Sequence, residues 1–174
     1  MTIDQEKTIE ALRISIQMEI DGKAFYIKSS EESRNEPGKK LFTRLAEEED
    51  IHRRIFLSIF NSISNKKGWP KTDFQPDKGQ GLRTLFMEAI EQTRTNPQKM
   101  DTELDAVVKA RQMETKTYDY YTARSRETSE AAEKEFYNLL AMQEQGHNLI
   151  LADYFEYLNN PAGFFVNKEH PHLD

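Results

Sequence analysis

A chain of 174 residues with 37% apolar content can bury one sizeable core, and nothing in it suggests a second domain. The absence of cysteine excludes disulfides, iron–sulfur clusters, Cys-ligated zinc and a thiol nucleophile, so redox chemistry must come from a metal or a borrowed cofactor. A net charge of −6 argues against a nucleic-acid partner, there is no apolar run of membrane-spanning length, and the start MTIDQEKTIE lacks a signal-peptide stretch; the chain reads as cytoplasmic.

The periodicity predicts a first helix over 4–33, with Ile9, Leu12, Ile16, Glu19, Lys23 and Tyr26 on one stripe and Gly22 as a point of close packing. Asn35 to Gly38 break it, and Pro37 is placed to open a second helix over 38–62. In that helix Leu41, Leu45, Glu49, His52, Phe56 and Ile59 recur at steps of 4, 4, 3, 4 and 3, which puts a carboxylate and an imidazole in the middle of a core face. Of the acidic run, Glu47 and Asp50 read as solvated, and Glu48 as a candidate acceptor for the outer N–H of a ligand histidine. Residues 65–81 form a long connection in which Trp69 and Phe74 are expected to pin the crossover to the bundle, followed by a short amphipathic helix from Leu82 to Ile90.

A third helix is expected over 102–127, opened by a capping box of Thr102 and Asp105 and carrying Val107, Ala110, Glu114 and Tyr121. A fourth spans 129–158 and stops at Asn159, Asn160 and Pro161. Its stripe of Phe136, Leu140, Glu144, His147, Leu151 and Tyr154 is the second helix's stripe shifted by 95 positions. The same offset relates Glu19 to Glu114, Tyr26 to Tyr121 and Leu12 to Val107, so the chain is two helical hairpins in tandem. Residues 1–160 are expected to form the bundle and 161–174 a tail whose two phenylalanines dock on it, with His170 and His172 in solvent.

The resulting fold expectation is all-α: an antiparallel four-helix bundle of the ferritin-like type, with one long crossover between its second and third helices. A Glu from the first and third helices and a Glu-x-x-His from the second and fourth, all projecting inward, are the ligand pattern of dinuclear carboxylate proteins with this connectivity. The predicted metal ligands are Glu19, Glu49, His52, Glu114, Glu144 and His147. Four carboxylates balance two divalent cations, and left empty they would repel one another severely. Glu49 and Glu144 are the expected shared ligands, with Glu19 and Glu114 terminal and one histidine on each metal.

On these residues the chain resembles the rubrerythrin-type members of the ferritin-like superfamily over about residues 5–160. The stretch YFEYLNNPAGFF also resembles the end of small rubrerythrin-like domains. The resemblance implies a di-iron redox protein, a small oxidant, a separate protein electron donor and a homodimer. Two departures stand out: rubrerythrins proper carry a Cys-rich rubredoxin module, and an extra Glu on the third helix where this chain has Thr117. Without that Glu the ligand set is symmetrical, as in bacterioferritins and manganese catalases.

Its oxygen and nitrogen donors suit iron or manganese, with zinc a possible occupant on purification. Tyr26 and Tyr121, two turns from Glu19 and Glu114, are candidate hydrogen-bond or one-electron donors, and Gly146 marks either tight packing or room for a ligand. Reduction of peroxide or O2 is the leading expectation. Ferroxidase or iron handling, hydroxylation of a small substrate, and a non-enzymatic metal-stabilised helical module are the alternatives.

Overall fold

The structure, a computed structural model, describes residues 2–93 and 96–166. Six helices carry them: α1 (Ile3–Glu32), α2 (Glu36–Ser64), α3 (Gln80–Gln92), α4 (Asp101–Glu127), α5 (Ala131–Asn159) and α6 (Pro161–Val166). The short connections after α1 and α4 force antiparallel neighbours, so α1 packs along α2 and α4 along α5. The two hairpins then face each other as a ferritin-like four-helix bundle.

Local chemistry sets the helix ends. Thr2 and Gln5 form a reciprocal capping box at the start of α1, and Pro37 sits in the first turn of α2, where its missing N–H has no intrahelical acceptor to lose. The cap expected at Thr102 is corrected: α4 begins at Asp101 after Met100, without a side-chain cap. Thr102 lies inside the first turn, and the neighbouring Glu103 is drawn into the protein instead. There it accepts from Tyr154 and from Ser33, the residue that ends α1. The fourth bundle helix begins at Ala131, two residues later than its pattern suggested, while Thr128 donates to Glu133 at 2.8 Å.

The apolar core is split into two clusters. One joins Tyr26, Leu41, Phe42 and Leu45 to Leu82 and Phe86 of α3 and to Ile150, Tyr154 and Tyr157 of α5. The other joins Leu12, Phe56, Ile59, Tyr121, Phe136, Tyr137 and Leu140, with Trp69 and Phe74 of the crossover packed on it. Each fully buried Leu, Ile or Phe contributes on the order of 1.5–3 kcal/mol. The layer of carboxylates and imidazoles between the two clusters is therefore held in place by its apolar neighbours. Of the two tail aromatics, Phe164 is buried against Phe86 and Tyr157; the Phe165 side chain, His170 and His172 fall outside the described residues.

The crossover meets α5 at one tight point. Lys78 (φ 56°) and Gly79 (φ 82°) are both left-handed, turning the chain sharply into α3. Asp77 fixes this turn by accepting from the N–H groups of Gly79 at 2.9 Å and Gly81 at 3.0 Å. A Cβ on Gly146 would lie 2.3 Å from the carbonyl carbon of Lys78. Close packing is thus what the structure shows at Gly146. Among the described residues no helix is long and apolar enough to cross a membrane.

Candidate metal centre

The structure brings all six predicted ligands together. Glu19, Glu49, His52 and Glu144 place one donor atom each within 4.8 Å of one another, and so do Glu49, Glu114, Glu144 and His147. Glu49 and Glu144 belong to both sets. His52 Nδ1 lies 3.4 Å from Glu19 Oε2 and 3.2 Å from Glu144 Oε1. His147 Nδ1 lies 3.3 Å from Glu49 Oε1, 3.4 Å from Glu114 Oε1 and 3.6 Å from Glu144 Oε2. The two imidazoles are nearly parallel, with centroids 5.8 Å apart.

The inward-pointing atoms Glu19 Oε2, Glu49 Oε1, Glu114 Oε2, both Glu144 oxygens and the Nδ1 of His52 and His147 are buried without a hydrogen-bond partner. Buried polar atoms are otherwise almost always paired, so a converging group of unpaired ones has the form of a cation's ligand shell. The energetics agree. Burial and then the like charges of its neighbours, Glu19 for Glu49 and Glu114 for Glu144, push both carboxyls well above the ordinary value. Burial also acts on the imidazoles, but it is outweighed by Glu19 at His52 and by Glu114 at His147, and both are raised. A divalent cation would replace those protons.

The neighbouring residues show the repeat as a cross-over of partners. Tyr26 of α1 donates to Glu114 of α4, and Tyr121 of α4 donates to Glu19 of α1. Burial, reinforced by the carboxylates, raises both phenols well above their ordinary value, so they stay protonated and act as donors. Gly22 leaves room for Glu49: a Cβ there would lie 2.9 Å from Glu49 Oε2. Thr117, its equivalent on α4, donates to the Met113 carbonyl at 3.0 Å, bonding its own helix.

Outside the ligand set, Glu48 Oε2 lies 2.8 Å from His147 Nε2 and accepts from Gln143 at 3.0 Å. Burial works against its ionisation, but the bond to His147 more than compensates and holds Glu48 below the ordinary carboxylate value. Gln143 also donates to Asp77 at 3.0 Å and accepts from the Lys78 N–H at 3.1 Å, tying the crossover to the ligand helix. Sequence reading missed Gln143 and Asp77. The offset of 95 applied to Glu48 gives Gln143, which is the signal that could have found it.

The reading of Asp50 as solvated is corrected. It is buried and forms ion pairs with Lys23, Arg53 and Arg54, and the Lys23 ammonium leads in lowering its carboxyl to about 2. Three cationic neighbours, themselves reaching solvent, cover the carboxylate and balance its charge. Glu47 is exposed as expected. Trp69 and Phe74 both pack on Phe136, as pins should, and Phe74 also meets His52 edge-on at 5.5 Å.

A four-helix bundle with one long crossover and two overlapping Glu/His sets in its interior defines the class of ferritin-like carboxylate proteins. A family model, rubrerythrin, matches residues 10–154, most of the chain and every residue of the cluster. The chain belongs to the rubrerythrin family. Comparison with the curated proteins and with the solved structures gave no significant match.

Proposed function

We propose that the cluster is a dinuclear centre of iron, or of manganese, that reduces peroxide or O2 with electrons from a separate protein donor, in a cytoplasmic homodimer. The observation that carries the reading is the pair of overlapping ligand sets, each with its own histidine and both sharing Glu49 and Glu144, whose inward atoms have no protein partner. Bound metal would supply two electrons at one place, which with two protons convert peroxide to two waters.

The chain's own residues do the rest. Glu19 with His52 would hold one ion and Glu114 with His147 the other, with Glu49 and Glu144 common to both. Tyr121 and Tyr26 fix the terminal carboxylates by donating to Glu19 and Glu114, leaving one oxygen of each directed inward. Glu48 accepts at the outer nitrogen of His147 and so fixes the ring with Nδ1 toward the centre. The apolar clusters on either side shield the layer from bulk water along the bundle.

Ferroxidase activity is the second reading. It is favoured by Thr117, which bonds to Met113 and leaves the ligand set symmetrical. The test is anaerobic loading with Fe(II), followed by stopped-flow mixing with peroxide or with O2 in the presence and absence of a reductant. Catalytic peroxide or O2 consumption that depends on the reductant supports the first reading. Iron oxidation that continues with added Fe(II) and no other reductant supports the second, and inertness to both oxidants contradicts the two together.

A further inference from the structure

The two halves of the centre use repeat-equivalent ligands but are not enclosed alike. Behind His147 stands a carboxylate, Glu48, 2.8 Å from Nε2 and itself held by Gln143. One turn of the same helix is sealed by the crossover, since the Lys78–Gly79 backbone lies directly on Gly146. Behind His52 there is no such support. Its Nε2 takes part in no hydrogen bond among the described residues. The position equivalent to Glu48 is Gln143, a neutral side chain whose amide is already committed to Glu48 and Asp77.

His52 faces a cleft instead. A space of about 530 Å³ between α2 and residues 71–77 is lined by His52 together with Glu48, Ile51, Ser58, Phe74 and Asp77. His52 is nevertheless 98% buried, being 2% exposed, and its ring forms part of the inner wall. A carboxylate behind a ligand imidazole raises its basicity and fixes its orientation, and loss of such a partner costs roughly 10- to 100-fold in metal affinity.

From this we infer that the His147 half is the tight position, filled first and retained, while the His52 half is the weaker, exchangeable position, reached from solvent through the cleft beside Phe74. The inference rests on the two-metal reading above. It adds an order to the two positions and a route to one of them.

Anaerobic titration of the apoprotein with Co(II), followed by absorption and calorimetry, should resolve two steps separated by roughly 10- to 100-fold in affinity. Glu48→Gln keeps an acceptor in place but removes its charge. It should weaken the first step and leave the second, bringing the two together. Ser58→Trp, on the lining of the cleft but not among the six cluster residues, should slow exchange of the weaker ion about tenfold with both affinities unchanged, a readout that depends on no change at Glu48.

Two equal affinities in the wild type, or equal weakening of both by Glu48→Gln, would overturn the inequality, and an unchanged exchange rate in Ser58→Trp would overturn the route through the cleft; each leaves a two-metal centre standing. Binding of a single ion per chain, or of none, would overturn the two-metal reading and this inference with it.

Discussion

The hairpin of α1 and α2 and the hairpin of α4 and α5 carry the same glutamates and histidines in the same register, yet their surroundings diverge at several equivalent positions. Ile51 is 45% exposed beside a cleft, whereas its counterpart Gly146 is pressed against the crossover backbone. Gly38 has Glu133 as its counterpart. A Cβ on Gly38 would lie 2.7 Å from Glu103 Oε1, whereas Glu133 pairs with Arg124 at 2.7 Å and accepts from Thr8 and Thr128. Both connections thus bury a carboxylate under the hydroxyl that ends a helix, Ser33 in one and Thr128 in the other, but take it from opposite helices. The lesson is that the symmetry is kept where a centre between the hairpins needs equal ligands, and given up where a single asymmetric crossover must be accommodated.

The largest expected effect is removal of metal. Ligands that bind only the folded state stabilise it by about 4 kcal/mol for each site filled at a thousand times its dissociation constant, so the apoprotein should melt far below the loaded one at neutral pH. The sign of the pH dependence follows from the shifts at the centre. Glu49 and Glu144 are raised above the ordinary 4.5, so their destabilisation of the apoprotein is full above the raised values and vanishes as pH falls below 4.5. His52 and His147 are raised above the ordinary 6.5, so their contribution is fully present below 6.5 and lost as pH rises through the folded values.

The apoprotein should therefore gain stability as pH falls from above neutral towards about 5. Over the same range protons compete with metal for the same atoms, and the melting gap between the two forms should shrink. Glu48 and Glu114 lie below the ordinary value. Glu114 is lowered because the His147 charge outweighs the effect of its burial, and what the two contribute is lost only at lower pH still. A melting gap independent of pH would break the picture of four glutamates in one buried site.

Glu133→Ala comes next, at about 3–5 kcal/mol in chemical denaturation, because it leaves the buried Arg124 unpaired. Glu103→Ala should cost less, about 1–3 kcal/mol, since it strips neutral donors of their acceptor, the hydroxyls of Ser33 and Tyr154 and the Arg34 N–H. The reverse ranking would show that the two connections are not stabilised as described. Gly146→Ala should cost about 1–3 kcal/mol and loosen the crossover, while Ile51→Ala at the equivalent exposed position should stay within about 0.5 kcal/mol. Limited proteolysis at residues 71–79 reports the loosening directly.

Among the charged positions the smallest effect is expected from Asp50→Asn. Its carboxyl is lowered to about 2, so its stabilisation is present above the ordinary 3.8 and disappears as pH falls through about 2. Lys23 and Arg54 are substantially exposed, so salt screens the pairing and the difference from wild type should fade at high ionic strength.

The clustering of the six Glu and His residues, the four long helices and the position of the crossover were legible because a repeat at fixed offset combined with helical period leaves little freedom. Glu49 and His52 interrupt an apolar stripe, and Glu144 and His147 interrupt its copy. Asp50 was misread for a related reason: Arg53 and Arg54 follow it on its own helix, but the leading partner, Lys23, comes from the neighbouring helix, and a pattern along one helix cannot register a cation supplied by another. The cap of α4 was misread at Thr102, and the buried role of Glu103, which looks like an ordinary exposed residue of a first turn, went unseen because its partners Ser33 and Tyr154 lie far away in sequence. The cleft beside His52 depends on where an aperiodic loop settles, and no sequence period carries that information.

The central claim, two metals sharing Glu49 and Glu144, is tested most directly by counting iron per chain after anaerobic loading and desalting of wild type, Glu49→Ala, Glu144→Ala and Glu48→Ala. Two irons are predicted for wild type, none for either shared-ligand variant, and at least one for Glu48→Ala. A shared-ligand variant that keeps one iron at full occupancy, or equal loss in all three variants, would contradict it.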